Sequence, residues 1–326
     1  MSAPGERPAP EPPHDTRAPA ASVLGASEAA IAQGSKSFAA AARLFDSRTR
    51  ADAVMLYAWC RHCDDVVDGQ VLGHGRVAQA LSPQARLDAL CEETARAYRG
   101  APSAHPAFAA FAEVVRRNAI PERYPLDLLQ GFRMDVEGRR YETMGDTLLY
   151  CYHVAGVVGV MMALVMGARE ESVLDRACDL GLAFQLTNIA RDVVEDAAIG
   201  RVYVPAELLA AEGVPAEALA EAEYRPALAR AVARLLDTAE PYYDEARMGI
   251  RALPWRSACA ISAARGVYRA IGRKVRRRGA AAWDDRVSTG TGEKLALLAR
   301  GIAEAVGTRL AGPAPARPAQ LWTRPR

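Results

Sequence analysis

The sequence predicts an all-α protein, on three observations. Apolar residues recur at helical spacing along most of the 326 residues, and the alternation that marks a half-buried strand is nearly absent. Alanine supplies 67 residues against 21 aromatics, which favours helix because alanine gives up no side-chain entropy on entering one. Glycine and proline fall between the periodic stretches, where helices stop and start.

In chain order, the first predicted helix covers 26–45 and the second, 49–69, ends at Gly69. Helix 83–100 begins on Pro83 and runs out in Gly100-Ala101-Pro102. Helix 104–119 stops before Pro121, and 125–137 starts on Pro125. Helix 144–168 closes around Gly167, 171–197 before Gly200, and 224–250 before Pro254. Helix 253–278 ends at Gly279, and 292–309 leads into a Pro-rich end. With no fixed-period repeat and no long internal linker, a single all-α domain over 25–310 is expected. Residues 1–24 read as a disordered Pro-rich tail without the apolar core of a secretory leader, and 311–326 as a second irregular tail.

The charge balance, 41 basic against 39 acidic residues, gives no field that would favour a nucleic-acid partner. The six cysteines are scattered through apolar helical contexts and read as reduced, intracellular thiols. The stretch Leu148–Ala168 is almost uncharged and long enough to cross a bilayer. It carries Tyr150, Tyr152 and His153 near its start and no flanking basic cluster. It is therefore read as the buried central helix of a bundle.

Two acidic stretches carry the chemistry. In Tyr57–Asp68, Asp64 and Asp68 lie one turn apart on a helix; in Gln185–Asp196, Asn188, Asp192 and Asp196 share one face over two turns. An unpaired carboxylate among apolar neighbours is costly, so basic side chains or hard divalent cations must neutralise these groups. A single Asp-x-x-x-Asp is usually a solvated helix face. Two sets in apolar helices, each beside an arginine (Arg61, Arg191), are hard to explain as solvated faces.

The stretches Tyr57–Asp68, Tyr150-Cys151-Tyr152-His153-Val154-Ala155-Gly156 and Gly181–Pro205 resemble the signatures of the squalene and phytoene synthases. Gly34-Ser35-Lys36-Ser37-Phe38 and the closing Arg-Pro-Ala-Gln-Leu-Trp extend the likeness, which is nearest to bacterial members of carotenoid pathways. The resemblance implies a class I isoprenoid synthase bundle around a central apolar cavity. It implies head-to-head condensation of two geranylgeranyl diphosphates to phytoene, through a cyclopropyl (prephytoene) diphosphate, with release of diphosphate. This would be the first step of carotenoid formation.

By the same resemblance, Asp64, Asp68, Asn188, Asp192 and Asp196 would hold Mg²⁺ or Mn²⁺, several ions bridging diphosphate. Arg61 and Arg191 would contact diphosphate, for which a guanidinium fork is well shaped. Gln185, Arg201, Tyr203, Tyr268 and Arg286 would line the same site. Ser37, Phe38, Tyr57, Tyr150, Val154, Ala155 and Val158 would belong to the substrate cavity, with Tyr150 among the catalytic residues. Val154, Ala155, Val158, Gly159 and Tyr150 fall on one stripe of a straight helix, and His153 reads as a hydrogen-bonded core histidine. Small residues at Ala39–Ala42 would leave room for a C20 chain.

Other signals are discounted. Cys60-Arg61-His62-Cys63 lacks the second pair of a zinc site, Gly73–Ala78 follows no strand, and Gly290–Lys294 lacks the spacing of a phosphate-binding loop. No nicotinamide is expected, since a phytoene-forming reaction ends in proton loss, and nucleotide activation stays open. The run Arg273–Arg278 reads as a solvated helix face, with attraction to anionic lipid headgroups as the alternative. The expected location is cytoplasmic, peripheral to a membrane and near other carotenoid-pathway enzymes. The competing readings are a C15-specific squalene or dehydrosqualene synthase, a non-catalytic lipid-binding or assembly factor on the same fold, and a helical membrane protein.

Overall fold

The computed structural model describes residues 25, 27, 41–69, 81–310, 312 and 314–326. Ser37 and Phe38, and most of the predicted helix 26–45, lie outside the described residues. Among the described residues all regular structure is helical.

Helix α1 (Ser47–Asp68) begins where the Asp46 carboxylate accepts the Thr49 N–H at 3.0 Å, and stops at Gly69, whose φ of 66° suits glycine. Helix α2 (Pro83–Tyr98) starts on Ser82 and Pro83, and α3 (Pro106–Asn118) on Pro106. Next come α4 (Arg123–Val136) and α5 (Met144–Cys151), the latter opened by a reciprocal Thr143–Asp146 capping box. The chain then makes a five-residue π turn (Tyr152–Gly156), closed by the Val157 N–H donating to Tyr152 O, and continues as α6 (Val157–Val165). Helix α7 (Glu171–Ala198) spans 28 residues. Four more come after it: α8 (Ala206–Ala211), α9 (Arg225–Ile250), α10 (Trp255–Arg278) and α11 (Thr291–Leu310).

Helix α7 is the axis of the packing, with α9, α6, the π turn and α10 around it. The uncharged stretch lies inside: Met144–Val165 is long and apolar enough to cross a membrane, yet 67% of its apolar window is buried. It crosses α7 backbone to backbone. A Cβ on Gly159 would stand 2.3 Å from Ala177 O, and one on Gly181 would stand 2.3 Å from Ala155 O. Only glycine permits either approach. The expected uninterrupted helix 144–168 is thus divided by a π turn at the point of closest contact.

The Pro-rich C-terminal segment has no helix but is firmly docked. Arg317 grips the fully buried Asp179 through two bonds of 2.7 and 2.9 Å. Arg324, itself buried, reaches Asp175 at 2.8 Å and also pairs with Glu171. Trp322 packs on Tyr152 in the π turn, its N–H donating to the Tyr242 hydroxyl at 3.1 Å.

Candidate active site

The second half of α1 carries Asp64 and Asp68, and the second half of α7 carries Asn188, Asp192 and Asp196. These helices do not pack along each other. Arg201, in the turn after α7, joins them: its guanidinium pairs with both oxygens of Asp68.

Most of the acids already have basic partners. Arg61 bridges Asp64 at 3.0 Å and Asp65 at 2.9 Å. Arg191 chelates its neighbour Asp192, and Arg286 reaches Asp192 at 3.3 Å and Glu195 at 3.4 Å. Basic side chains therefore supply much of the neutralisation that the sequence demands. Two groups are left over. The Asn188 amide donates to Gln185 Oε1 at 3.2 Å, while its Oδ1 is buried without a hydrogen-bond partner among the described residues. The Asp196 carboxyl has no ion pair among the described residues. Burial, reinforced by Asp192, pushes it up to about 7. Burial also raises Asp64 to about 6, against the pull of Arg61.

Close to Arg201 lies an aromatic cluster. The Tyr150 and Tyr203 rings stack with centroids 4.7 Å apart, and Tyr141 tilts against both. Their hydroxyls converge on Asp135 in α4: Tyr150 donates to Oδ2 at 3.1 Å and Tyr203 to Oδ1 at 2.9 Å. Burial pushes Asp135 up to about 6, outweighing Arg201 and the two hydroxyls. Sequence reasoning missed Asp135. A lone acid on an amphipathic helix carries no spacing signal, and its partners lie 15 and 68 positions away.

The apolar wall is divided differently from the expected stripe. Tyr150, before the π turn, is buried and turned to Asp135; Val154, Ala155, Val158 and Gly159, with Met162 one turn on, are half-buried in a mostly buried segment. A straight-helix projection puts all of these together. The extra residue of the π turn instead rotates the segment before it away from the segment after it. Tyr57, Gln185 and Asn188 are half-buried like the Val154 group, and Phe184 stacks on Tyr268 at 4.1 Å. His153 is a core histidine, its Nδ1 2.8 Å from Asp127 O and its basicity lowered by burial.

The donor set suits a hard divalent cation held jointly with a ligand. Among the described residues Asn188 Oδ1 lacks a hydrogen-bond partner and Asp196 lacks an ion pair, and both lie on the face that carries Asp192. Among the described residues no three metal-ligating His, Cys, Asp or Glu side chains converge on one point. A bound ion would therefore take its remaining oxygens from diphosphate and water.

The comparisons with known proteins agree with this geometry. The family model described as squalene/phytoene synthase matches residues 31–293. The chain is 56% identical over 293 residues to a 15-cis-phytoene synthase of Enterobacter agglomerans, covering 90% of this chain and 99% of that protein. It is 53% identical over 305 residues to the 15-cis-phytoene synthase of Pantoea ananas, covering 93% and 98%. Among solved structures, a dehydrosqualene synthase in complex with ligand aligns at TM-score 0.80 and 28% identity, over 90% of this chain and all of that one. Squalene synthase HpnC from Alicyclobacillus acidocaldarius aligns at 0.72 and 25%, over 81% and 97%. The all-α bundle is the isoprenoid synthase fold of these neighbours, and the chain belongs to the squalene/phytoene synthase family.

Proposed function

We propose that this protein is a prenyltransferase that joins two geranylgeranyl diphosphates head to head to give phytoene. The carrying observation is the pair of acid-bearing helices linked by Arg201, with Asn188 Oδ1 and Asp196 left unpartnered among the described residues and an aromatic cluster close to Arg201. The C20 length rests on the similarity to 15-cis-phytoene synthases. Small side chains are compatible with it: Ala42 is 3% exposed. Ala39 and Ala40 lie outside the described residues.

Enzymes of this family are generally dependent on divalent metal ions. Here Mg²⁺ or Mn²⁺ would be held by Asp64, Asp68, Asn188, Asp192 and Asp196, supplying the Lewis acidity that lets diphosphate depart. The protein's own part begins with an exchange of partners. Arg61, Arg191 and Arg286 turn from carboxylate to diphosphate oxygens, for which their planar forks are equally suited. Breaking the allylic C–O bond leaves diphosphate among these arginines and a carbocation over the apolar wall. Val154, Ala155 and Val158 exclude water there. Close to Arg201, Asp135 accepts from the Tyr150 and Tyr203 hydroxyls and holds that stacked pair in place. Attack by the second chain's double bond, with loss of a proton from C1 of the first chain as the ring closes, gives the cyclopropyl diphosphate. Its ionisation releases the second diphosphate, and rearrangement with loss of a second proton gives the C40 hydrocarbon, released diphosphate serving as the base for both protons. A cytoplasmic site with peripheral lipid contact accompanies this reading, because the product has no polar group to hold it in water.

The test is incubation of purified protein with Mg²⁺ or Mn²⁺ and C15 or C20 diphosphate, with and without NADPH, followed by product identification. A C40 hydrocarbon from the C20 substrate, formed without NADPH, is expected. C30 product alone would move the assignment to the C15-specific enzymes, and no product from either would remove the enzymatic reading.

A further inference from the structure

The basic run in α10 is largely spoken for: Arg276 pairs with Asp237 at 2.6 Å, Arg278 with Asp285 at 2.9 Å, and Lys274 with Glu293. The unpartnered surface lies on the next helix. Four of the large exposed hydrophobic side chains fall on α11: Leu295 (63% exposed), Ile302 (38%), Val306 (43%) and Leu310 (82%). At about 100° per residue these four, with exposed Ala299 between them, occupy one continuous arc about 80° wide. The inward side is equally consistent: Gly301, Ala305 and Thr308 are buried, and a Cβ on Gly301 would strike the Ala263 backbone of α10 at 2.7 Å. An outward apolar strip of this length is not needed for packing within the chain.

Its charges are sorted. The two acids of α11 are turned to α10 and neutralised, Glu293 by Lys274 and Glu304 by Arg265 at 2.7 Å. Arg300, exposed and without an ion pair among the described residues, lies beyond one edge of the strip on the side of the two acids; Arg309 flanks the other edge, its guanidinium donating to Leu253 O at 2.6 Å and lying 5.3 Å over the Trp255 ring. Trp255 is 46% exposed. An apolar strip edged by arginine, with an exposed tryptophan at one end and both acids of the helix neutralised, is complementary to an anionic bilayer surface. It suits a second copy poorly, because in an isologous contact arginine edges would meet arginine edges.

We infer that the outer face of α11 is a membrane-docking surface that rests on anionic phospholipid. This lipid contact accompanies the proposed reaction, but the contact itself is independent of any substrate.

The experiment is co-sedimentation of the full chain with vesicles of phosphatidylcholine alone or with about one third phosphatidylglycerol, an anionic fraction that supplies the headgroup attraction. Binding to the anionic vesicles is expected, lowered at least ~10-fold in Ile302→Glu/Val306→Glu and several-fold, most at low salt, in Arg300→Glu. Arg276→Gln/Arg277→Gln should bind like the parent. Quenching of tryptophan fluorescence by brominated lipid, lost in Trp255→Phe, tests the same contact without disturbing α11. Equal binding by Ile302→Glu/Val306→Glu overturns the inference, as does loss of binding in Arg276→Gln/Arg277→Gln alone. A dimer that Val306→Glu dissociates, with no vesicle binding, assigns the face to a second copy instead. Turnover of detergent-dispersed substrate should be unchanged in the α11 variants, so failure of the docking inference and failure of the proposed reaction are read separately.

Discussion

Helix α7 carries two Asp-x-x-x-Asp pairs, and they have opposite fates. In its first half Asp175 and Asp179 are saturated: Arg317 holds Asp179 by two bonds, and Arg324 and Arg326 hold Asp175. In its second half Asp192 is paired, but among the described residues Asp196 has no ion pair and Asn188 Oδ1 has no hydrogen-bond partner. The same spacing on the same helix is thus a lock at one end and, at the other, a set of oxygens left open among the described residues, where the proposed site lies. What separates them is the surplus of cations: the C-terminal segment brings enough arginines to finish the first pair, and no described residue finishes the second. A motif of two carboxylates gains meaning from what is left unmatched after folding.

The largest expected effects break the open end. Asp192→Asn at that end, and Asp64→Asn on α1, should each lower turnover ~100-fold or more while far-ultraviolet circular dichroism stays helical, since each removes a charge from the proposed diphosphate site. A parent-like rate in Asp192→Asn would undo the contrast between the two ends, and one in Asp64→Asn would remove α1 from the proposed site.

Breaking the closed end should cost stability and spare chemistry. Arg317→Ala leaves Asp179 buried and unpaired and should destabilise by about 3–5 kcal/mol in denaturant unfolding, with kcat changed little in the folded fraction. Loss of activity without loss of stability would mean that the lock is part of the site.

Between the two ends, Asp135→Asn sharpens the comparison. Asparagine retains one oxygen for Tyr150 or Tyr203 but not both, so a roughly 10-fold fall in kcat with a nearly unchanged melting temperature is expected. Asp135→Ala should do worse, and recovery in the asparagine variant distinguishes positioning from bulk.

The smallest effect lies away from α7 and gives a baseline for acid sensitivity. His62 stacks on His105 at 3.8 Å, and burial, with His105, depresses it to about 4. Its folded value is below the unfolded one, so the unfolded chain takes up the proton first. Stability from this pair is therefore lost as pH falls below about 6.5 and the loss is complete near 4. His62→Gln should flatten that part of the melting-temperature profile. An unchanged slope would assign the acid sensitivity elsewhere.

Much of the molecule was legible in the residues. The helices could be bounded from their punctuation, and the shared helical faces of Asp64 with Asp68 and of Asn188 with Asp192 and Asp196 from their spacing, because both signals are local. Three features were not legible. The π turn leaves the apolar pattern of 144–168 intact and changes only which way Tyr150 points. Asp135 gains its role from hydroxyls on two other elements. The C-terminal segment has the composition of a loose tail, and Arg317 finds its partner 138 positions away. Long-range pairing of irregular backbone leaves no periodic trace.

The glycine crossing of α6 and α7 has one more consequence. Where Gly159 meets Ala177 O and Gly181 meets Ala155 O, no side chain stands between the two backbones to act as a bearing. With the two backbones in direct contact, the span from the acidic face to the apolar wall would serve the proposed reaction as a fixed ruler. Altering the chain length that such a ruler accepts is then a matter of exchanging side chains along it, one notch at a time, rather than of shifting the scale.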